Sequence, residues 1–326
     1  MAPEGDLRAE VLVLGAGPGG YTAAFRAADL GRQVVLVERY PVLGGVCLNV
    51  GCIPSKALLH VAEVLAAAQG LAEAGVELGE PRIDLDRLRA HKDAVVGKLT
   101  GGLAQMAKQR GVTVLTGTGR LTGAKRAQVD TADGAVAVAF EHAILAAGSR
   151  SVPLPDLPED PRILDSTSAL ALAEIPGRLL VVGGGIIGLE MATVYGALGA
   201  EVTVVEMQDR LLAGPDADLV RPLEKRMRSR GAEFHLGVRV AGVAARKDGL
   251  HVRFEGEKSP EAQRFDAVLV AVGRRPNGDR IGAEAAGLRV DERGFVPVDD
   301  RLRTPLPPTH AIGDLAGPPL LAHKAS

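Results

Sequence analysis

The sequence predicts an α/β chain made of two Rossmann-like, three-layer dinucleotide-binding domains, the first of them discontinuous. Three observations predict it. A short apolar run, Val11–Leu14, ends in Gly15-Ala16-Gly17-Pro18-Gly19-Gly20 and leads through a helical stretch, Tyr21–Leu30, to a second run, Gln33–Glu38. The same order recurs at Leu179–Val182, Gly183-Gly184-Gly185-Ile186-Ile187-Gly188 and Glu201–Glu206. The glycine-to-acid interval, Gly15 to Glu38 and Gly183 to Glu206, is 23 positions in both copies. A late strand running into Ala311-Ile312-Gly313-Asp314 places a further carboxylate against a sugar chain. The expected boundaries are 1–150 for the first part of domain one, 151–275 for domain two and 276–326 for the return segment.

Each glycine has a separate task. Gly15 makes the tight turn, Gly17 lets the backbone approach a pyrophosphate, and Gly20 lets helix and strand pack closely. The helix N-terminus stabilises phosphate charge, and Glu38 is placed to accept hydrogen bonds from a ribose. A glycine-rich surface turn is the alternative reading, but strand, helix and acid fall in place twice. Two such units imply two nucleotides, or a flavin nucleotide with a nicotinamide one. Glu206 accepts from a free 2′-hydroxyl and repels a 2′-phosphate. Met207 and Gln208 add no positive charge, so NAD is favoured over NADP, with Arg210 the nearby cation.

Between the two units lies Gly44-Gly-Val-Cys-Leu-Asn-Val-Gly-Cys-Ile-Pro-Ser-Lys56, which holds both cysteines, Cys47 and Cys52. A helix follows from about Pro54 to Gln69, with Pro favourable in its first turn. Cys52 therefore lies at or just before a helix N-terminus, whose dipole stabilises a thiolate. A metal half-site or two buried core thiols are the alternatives. No further cysteine and no nearby histidine cluster supports a four-ligand zinc site, so no metal is expected and a redox disulfide is the preferred reading. A second helical region spans about Leu85–Arg110. Val112–Leu115 and Ala135–Phe140 read as strands of a small antiparallel layer, and Ala143–Ala147 as a further strand. The Pro- and Asp-rich stretch Val152–Arg162 reads as an interdomain crossing.

Composition excludes other classes. The chain has 326 residues, 46% apolar, with 41 glycines, no tryptophan, 3% aromatics and a net charge of −2. It offers neither stacking platforms nor a basic stripe for nucleic acid or an anionic membrane. Met1–Asp6 shows no secretory leader, the apolar runs read as too short and broken to span a membrane, and two cysteines are not a secreted disulfide scaffold. A cytoplasmic protein is the expectation.

With these residues in hand, the chain resembles the flavoprotein disulfide reductases. The matching pieces are GGVCLNVGCIPSKALLH at Gly44–His60, AAGS at Ala146–Ser149, GGGIIGLE at Gly183–Glu190, VGRRPN at Val272–Asn277 and AIGD at Ala311–Asp314. The cysteine motif and Glu206 look most like the dihydrolipoamide-oxidising branch of that family. The resemblance implies FAD held by Gly15, Gly17, Gly20, Glu38 and Lys56, with Gly119, Asp314 and Ala322 completing the site. It implies NAD held by Gly183, Gly185, Gly188, Glu206 and the turn Ala271–Gly273–Arg274, with Val240 beside the adenine. Cys47 would be the interchange thiol and Cys52 the flavin-facing, charge-transfer thiolate. Lys56 and Glu190 would pair near the flavin nitrogen that exchanges hydride. Implied partners are dihydrolipoamide on the lipoyl domain of an E2 subunit or a glycine-cleavage-type carrier, within a 2-oxo acid dehydrogenase complex. The family dimerises through a C-terminal interface domain that supplies a His–Glu base from the partner, and the sequence stops before that domain. Poor dimerisation and turnover are then expected unless it is supplied. Two other readings are a different disulfide reductase or NADH diaphorase, and an idle nucleotide-binding chain.

Overall fold

The structure is a computed structural model that describes residues 7–326; the reading of Met1–Asp6 lies outside them. Two compact units emerge. The first comprises residues 7–52, 96–150 and 274–326, and the second comprises 53–95 and 151–273.

In chain order the first half contains β1 (Leu7–Leu14), α1 (Pro18–Asp29), β2 (Val34–Glu38), α2 (Gly45–Val50), α3 (Cys52–Gly70) and α4 (Leu85–Gln109). Then come β3 (Thr113–Thr116), β4 (Thr118–Gly123), β5 (Arg126–Thr131), β6 (Gly134–Leu145) and β7 (Ser149–Ser151). The second half contains β8 (Ile163–Leu164), α5 (Ser166–Ala171), β9 (Arg178–Val182), α6 (Ile186–Ala197), β10 (Glu201–Glu206), α7 (Ala217–Ser229) and β11 (Glu233–Leu236). It continues with β12 (Arg239–Arg246), β13 (Gly249–Glu255), β14 (Gln263–Phe265), β15 (Ala267–Val270), β16 (Arg274–Pro276), β17 (Thr309–Ala311) and α8 (Ala322–Ala325).

The first unit is built on a seven-stranded sheet in the order β3-β2-β1-β6-β5-β4, with β17 also paired to β6. β1 runs parallel to β2 and to the end of β6, and β2 parallel to β3. Strand β2 buries all five of its residues and β1 every residue from Val11 to Leu14, as expected where both faces of a parallel sheet are covered. β6 is long enough to change partners. Its first half pairs antiparallel with β5, and its second half lies parallel to β1 and β17. One expectation is corrected here: the strand at Val112–Leu115 belongs to the parallel part of the sheet, not to the antiparallel layer, which β4, β5 and β6 form instead. The two expected strands at 135–140 and 143–147 are the single strand β6.

The second unit repeats the plan. A five-stranded sheet has the order β11-β10-β9-β15-β8, every pairing parallel, and β12-β13-β14 form a separate antiparallel sheet. Its core gathers Leu179, Val181, Met191, Tyr195, Val204 and Leu269, joined by Leu58 from α3. Burial raises the Tyr195 hydroxyl to about 12, and it donates to the Ala169 carbonyl at 2.8 Å.

By length and composition alone, the apolar run Gly45–Ala74 reaches membrane-spanning size, which corrects the expectation that none does. It is not one uninterrupted helix: Gly51 (φ −144°, ψ −114°) separates α2 from α3. α3 buries Pro54, Ser55, Leu58 and Ala62, and it carries Lys56, His60 and Glu63. That is the pattern of a helix with one face in a protein core.

Candidate active site

The two glycine turns repeat the same close approaches. Gly15 takes φ 99° and Gly183 φ 110°, conformations that favour glycine. A Cβ on Gly15 would lie 2.4 Å from the Ala146 carbonyl oxygen, and one on Gly183 2.4 Å from that of Ala271. At the third glycine, a Cβ on Gly20 would lie 1.8 Å from the Gly15 oxygen, and one on Gly188 2.1 Å from the Gly183 oxygen. The middle glycines differ in kind. A Cβ on Gly17 or Gly185 meets nothing within 4 Å, so these positions leave the turn open to an approaching group. Both are the N-caps of their helices, without a side-chain cap, so the first-turn N–H groups, which begin at Gly19 in α1 because Pro18 has none, stay available to an anion.

The acids brace the turns. Glu38 Oε2 accepts from Ala16 N at 2.9 Å and Oε1 from Tyr40 N at 3.1 Å. Glu206 does the same with Gly184 N at 2.7 Å and Gln208 N at 2.8 Å. Glu38 is 5% exposed, and burial raises its carboxyl above the ordinary range against the pull of the backbone N–H groups. A carboxylate has about four acceptor sites, so both acids keep capacity for a ligand hydroxyl. The bracing bonds are a role that the spacing alone did not reveal.

The cysteine stretch starts on the first turn. Gly44 N donates to the Ala16 carbonyl at 2.9 Å, and a Cβ on Gly45 (φ 56°) would lie 2.7 Å from Gly17 Cα. Only glycines fit there. Cys47 lies within α2 and Cys52 is the first residue of α3, both half-buried. Asn49 Nδ2 donates to the Gly45 carbonyl at 2.9 Å and fastens α2. Tyr21, which sequence reading passed over, lies in the field of Cys47. Burial first, and then that sulfur, raise its hydroxyl. Its place directly after Gly20 was the available signal.

Lys56 belongs to the second unit, as does its partner Glu190, with Nζ and Oε1 2.6 Å apart. The lysine side chain is 59% exposed and the carboxylate 21%. A pair this exposed contributes about 0–1 kcal/mol to stability, so its position matters more than its strength. Arg274 belongs to the first unit. Its Nε donates to Ser149 Oγ and its Nη2 to the Ser149 carbonyl, both at 2.7 Å. Ser149 Oγ in turn donates to Asp314 Oδ2 at 2.5 Å.

The remaining expected residues divide between the units. In the first, Gly119 sits in β4 where Leu14 Cδ2 would be 2.9 Å from a Cβ, and Ala322 opens α8, whose Ala325 lies against Gly19. In the second, Ala271 N donates to the Val182 carbonyl at 2.8 Å, Gly273 (φ 129°) follows, and Val240 faces Phe254 across β12 and β13.

Residues 9–326 match the family described as pyridine nucleotide-disulphide oxidoreductase. The dihydrolipoyl dehydrogenase of Vibrio cholerae serotype O1 is 55% identical over 321 residues, which are 98% of this chain and 67% of that protein. The dihydrolipoyl dehydrogenase of Haemophilus influenzae is 54% identical with the same coverage. The chain thus spans about two thirds of the length of these relatives. Among solved structures, the Cu(II) complex of the HOCl-induced flavoprotein disulfide reductase RclA from Escherichia coli is similar. Its TM-score is 0.86 at 28% identity, covering 98% of this chain and 68% of that one.

Proposed function

The chain belongs to the pyridine nucleotide-disulphide oxidoreductase family, and from that premise we propose that it oxidises dihydrolipoamide to lipoamide and reduces NAD⁺. The observation that carries the reading is the placement of Cys47 and Cys52 on either side of the Gly51 break, on a segment seated against the Gly15–Gly20 turn. The identity to dihydrolipoyl dehydrogenases supports the choice of substrate.

In this reading a substrate thiolate attacks Cys47 Sγ, and the Cys47–Cys52 bond breaks with Cys52 leaving as thiolate. The second substrate thiolate then displaces Cys47, forming the lipoamide disulfide and leaving both enzyme sulfurs reduced. The positive end of α3 stabilises the Cys52 thiolate. FAD, when bound, would supply the two-electron relay between this dithiol and NAD⁺. Gly15, Gly17, Gly20, Glu38, Gly119, Asp314 and Ala322 hold the flavin nucleotide. Gly183, Gly185, Gly188, Glu206, Val240, Ala271 and Gly273 hold NAD, and the Lys56–Glu190 pair serves the hydride exchange. The physiological dithiol is a lipoyl domain of a 2-oxo acid dehydrogenase complex or of a glycine-cleavage-type carrier, in the cytoplasm.

The test is dihydrolipoamide-dependent NADH formation by the FAD-loaded protein. Cys47→Ser and Cys52→Ser each lower it at least about 100-fold, in the range of lost nucleophilic catalysis, while NADH oxidation by a dye continues. Turnover that survives either change refutes the assignment.

A further inference from the structure

We propose that Ser149 is a positioning residue. It fixes Asp314 as a hydroxyl-accepting carboxylate for the polyol chain of a bound flavin nucleotide. The inference rests on the FAD reading above and deepens it.

Its basis is a hydrogen-bond chain with only one possible direction. The Arg274 guanidinium has donors and no acceptor. Its Nε therefore donates to Ser149 Oγ at 2.7 Å, and its Nη2 donates to the carbonyl of the same residue at 2.7 Å. With a lone pair of Oγ taken, the single proton of Ser149 goes to Asp314 Oδ2, 2.5 Å away. Ser149 is 2% exposed, so water does not substitute for either partner. Asp314 is half-buried, and no bond among the described residues engages its second oxygen. A carboxylate so fixed presents an acceptor and no proton. It binds a hydroxyl donor such as a sugar-alcohol chain and repels a phosphate.

The backbone holds this chain at the edge where a ligand enters. Asn277, 4% exposed, donates from Nδ2 to the Ala147 carbonyl at 2.8 Å and from its own N–H to the Gly148 carbonyl at 3.0 Å. Ile312 N donates to the Leu145 carbonyl at 3.0 Å, which fixes the turn carrying Asp314. Ala146 N donates to the Leu14 carbonyl at 2.8 Å, tying the same segment to the strand that ends at Gly15. The carboxyl ends of β1, β6 and β17 thus bring Gly15, Ser149 and Asp314 to one edge, the place where nucleotides bind such sheets. The motif Val272–Asn277, expected to serve NAD through Arg274, supplies both clamps on Ala147–Ser149.

The experiment measures the dissociation constants of FAD and of an FAD analogue with a deoxyribityl chain, by flavin fluorescence. Proteins compared are the wild type, Ser149→Ala, Ser149→Thr and Arg274→Met. Ser149→Ala is expected to weaken FAD about tenfold, the weight of one hydrogen bond to a charged group, and the analogue less than about twofold. Ser149→Thr restores FAD binding, and Arg274→Met, which leaves the hydroxyl in place without its orienting donor, weakens FAD more than the analogue. Equal losses for both ligands in Ser149→Ala and Arg274→Met, or no loss for FAD, overturn this inference alone. A wild-type protein that binds no FAD overturns the cofactor reading and this inference with it.

Discussion

Replacing Gly20 and Gly17 by alanine separates two kinds of glycine that look alike in the sequence. At Gly20 the added Cβ would lie 1.8 Å from the Gly15 carbonyl oxygen and 3.3 Å from Ala146 Cβ. The first of these is backbone, fixed in turn by the Gly15 N–H bond of 2.8 Å to the Val37 carbonyl, so α1 must shift away from β1. Overpacking of this kind costs about 1–3 kcal/mol, occasionally more, and the top of that range applies because no side chain can yield. For a unit of this size, 3 kcal/mol lowers the thermal midpoint by about 6–12 °C. At Gly17 the added Cβ meets nothing, and its φ of −68° and ψ of −178° suit alanine. The apoprotein should therefore stay within about 1 kcal/mol of the wild type, because the reduced freedom of the unfolded chain offsets the poorer cap that alanine makes at this N-cap, while a methyl group blocks the backbone approach to a pyrophosphate. The assay is urea unfolding of the apoproteins together with FAD affinity by fluorescence. Gly20→Ala should lower stability, and Gly17→Ala should lower affinity alone. Gly188→Ala and Gly185→Ala should repeat the contrast with NAD⁺. A stable Gly20→Ala, or a Gly17→Ala protein that binds FAD normally, would refute the assignment of tasks within the turn.

Two further predictions concern the second unit. Lys92, 8% exposed, donates to the Leu170 carbonyl at 2.9 Å at the end of α5, so Lys92→Met should cost about 1–3 kcal/mol by leaving that carbonyl unpaired; urea unfolding with no loss would contradict this. The Arg162 guanidinium, followed by the Arg162 N–H, holds the Asp160 carboxyl down at about 2. Because the folded-state value is depressed, the stabilisation is full above the unfolded value of 3.8 and is lost as pH falls through about 2. Asp160→Asn should therefore be about 1 kcal/mol less stable at neutral pH, after allowance for partial exposure, with the gap closing between about pH 4 and pH 2. A gap that stays constant across that window would show that the ion pair is not its source.

The repeated turn was legible because its function needs particular residues at particular intervals. Gly15, Gly20 and Glu38 are forced by local geometry, and the copy at Gly183, Gly188 and Glu206 is forced by the same geometry. Cys52 at a helix start was legible from Pro54. What escaped the sequence was set by distant partners. Strands β4 and β12 alternate polar and apolar residues weakly, and pairing with β5 and β13 fixes them. α5 is short and depends on its Asp165–Ser168 capping box and on Arg89 and Lys92 from α4. Residues 53–95 follow the cysteine motif in sequence yet belong to the second unit, because the apolar face of α3 joins that core through Leu58. Arg274 follows the second nucleotide domain, but its guanidinium finds Ser149, a partner 125 positions away that no local pattern announces.

Counting thiols tests most directly whether electrons pass between nicotinamide and a dithiol through Cys47 and Cys52. Anaerobic reduction of the FAD-loaded protein by NADH should expose two thiols in place of one disulfide. If Cys52 is the flavin-facing thiolate proposed above, Cys47→Ser should show long-wavelength absorbance without reductant, and Cys52→Ser should show none. Flavin that is reduced by NADH while the thiol count stays unchanged would contradict the account.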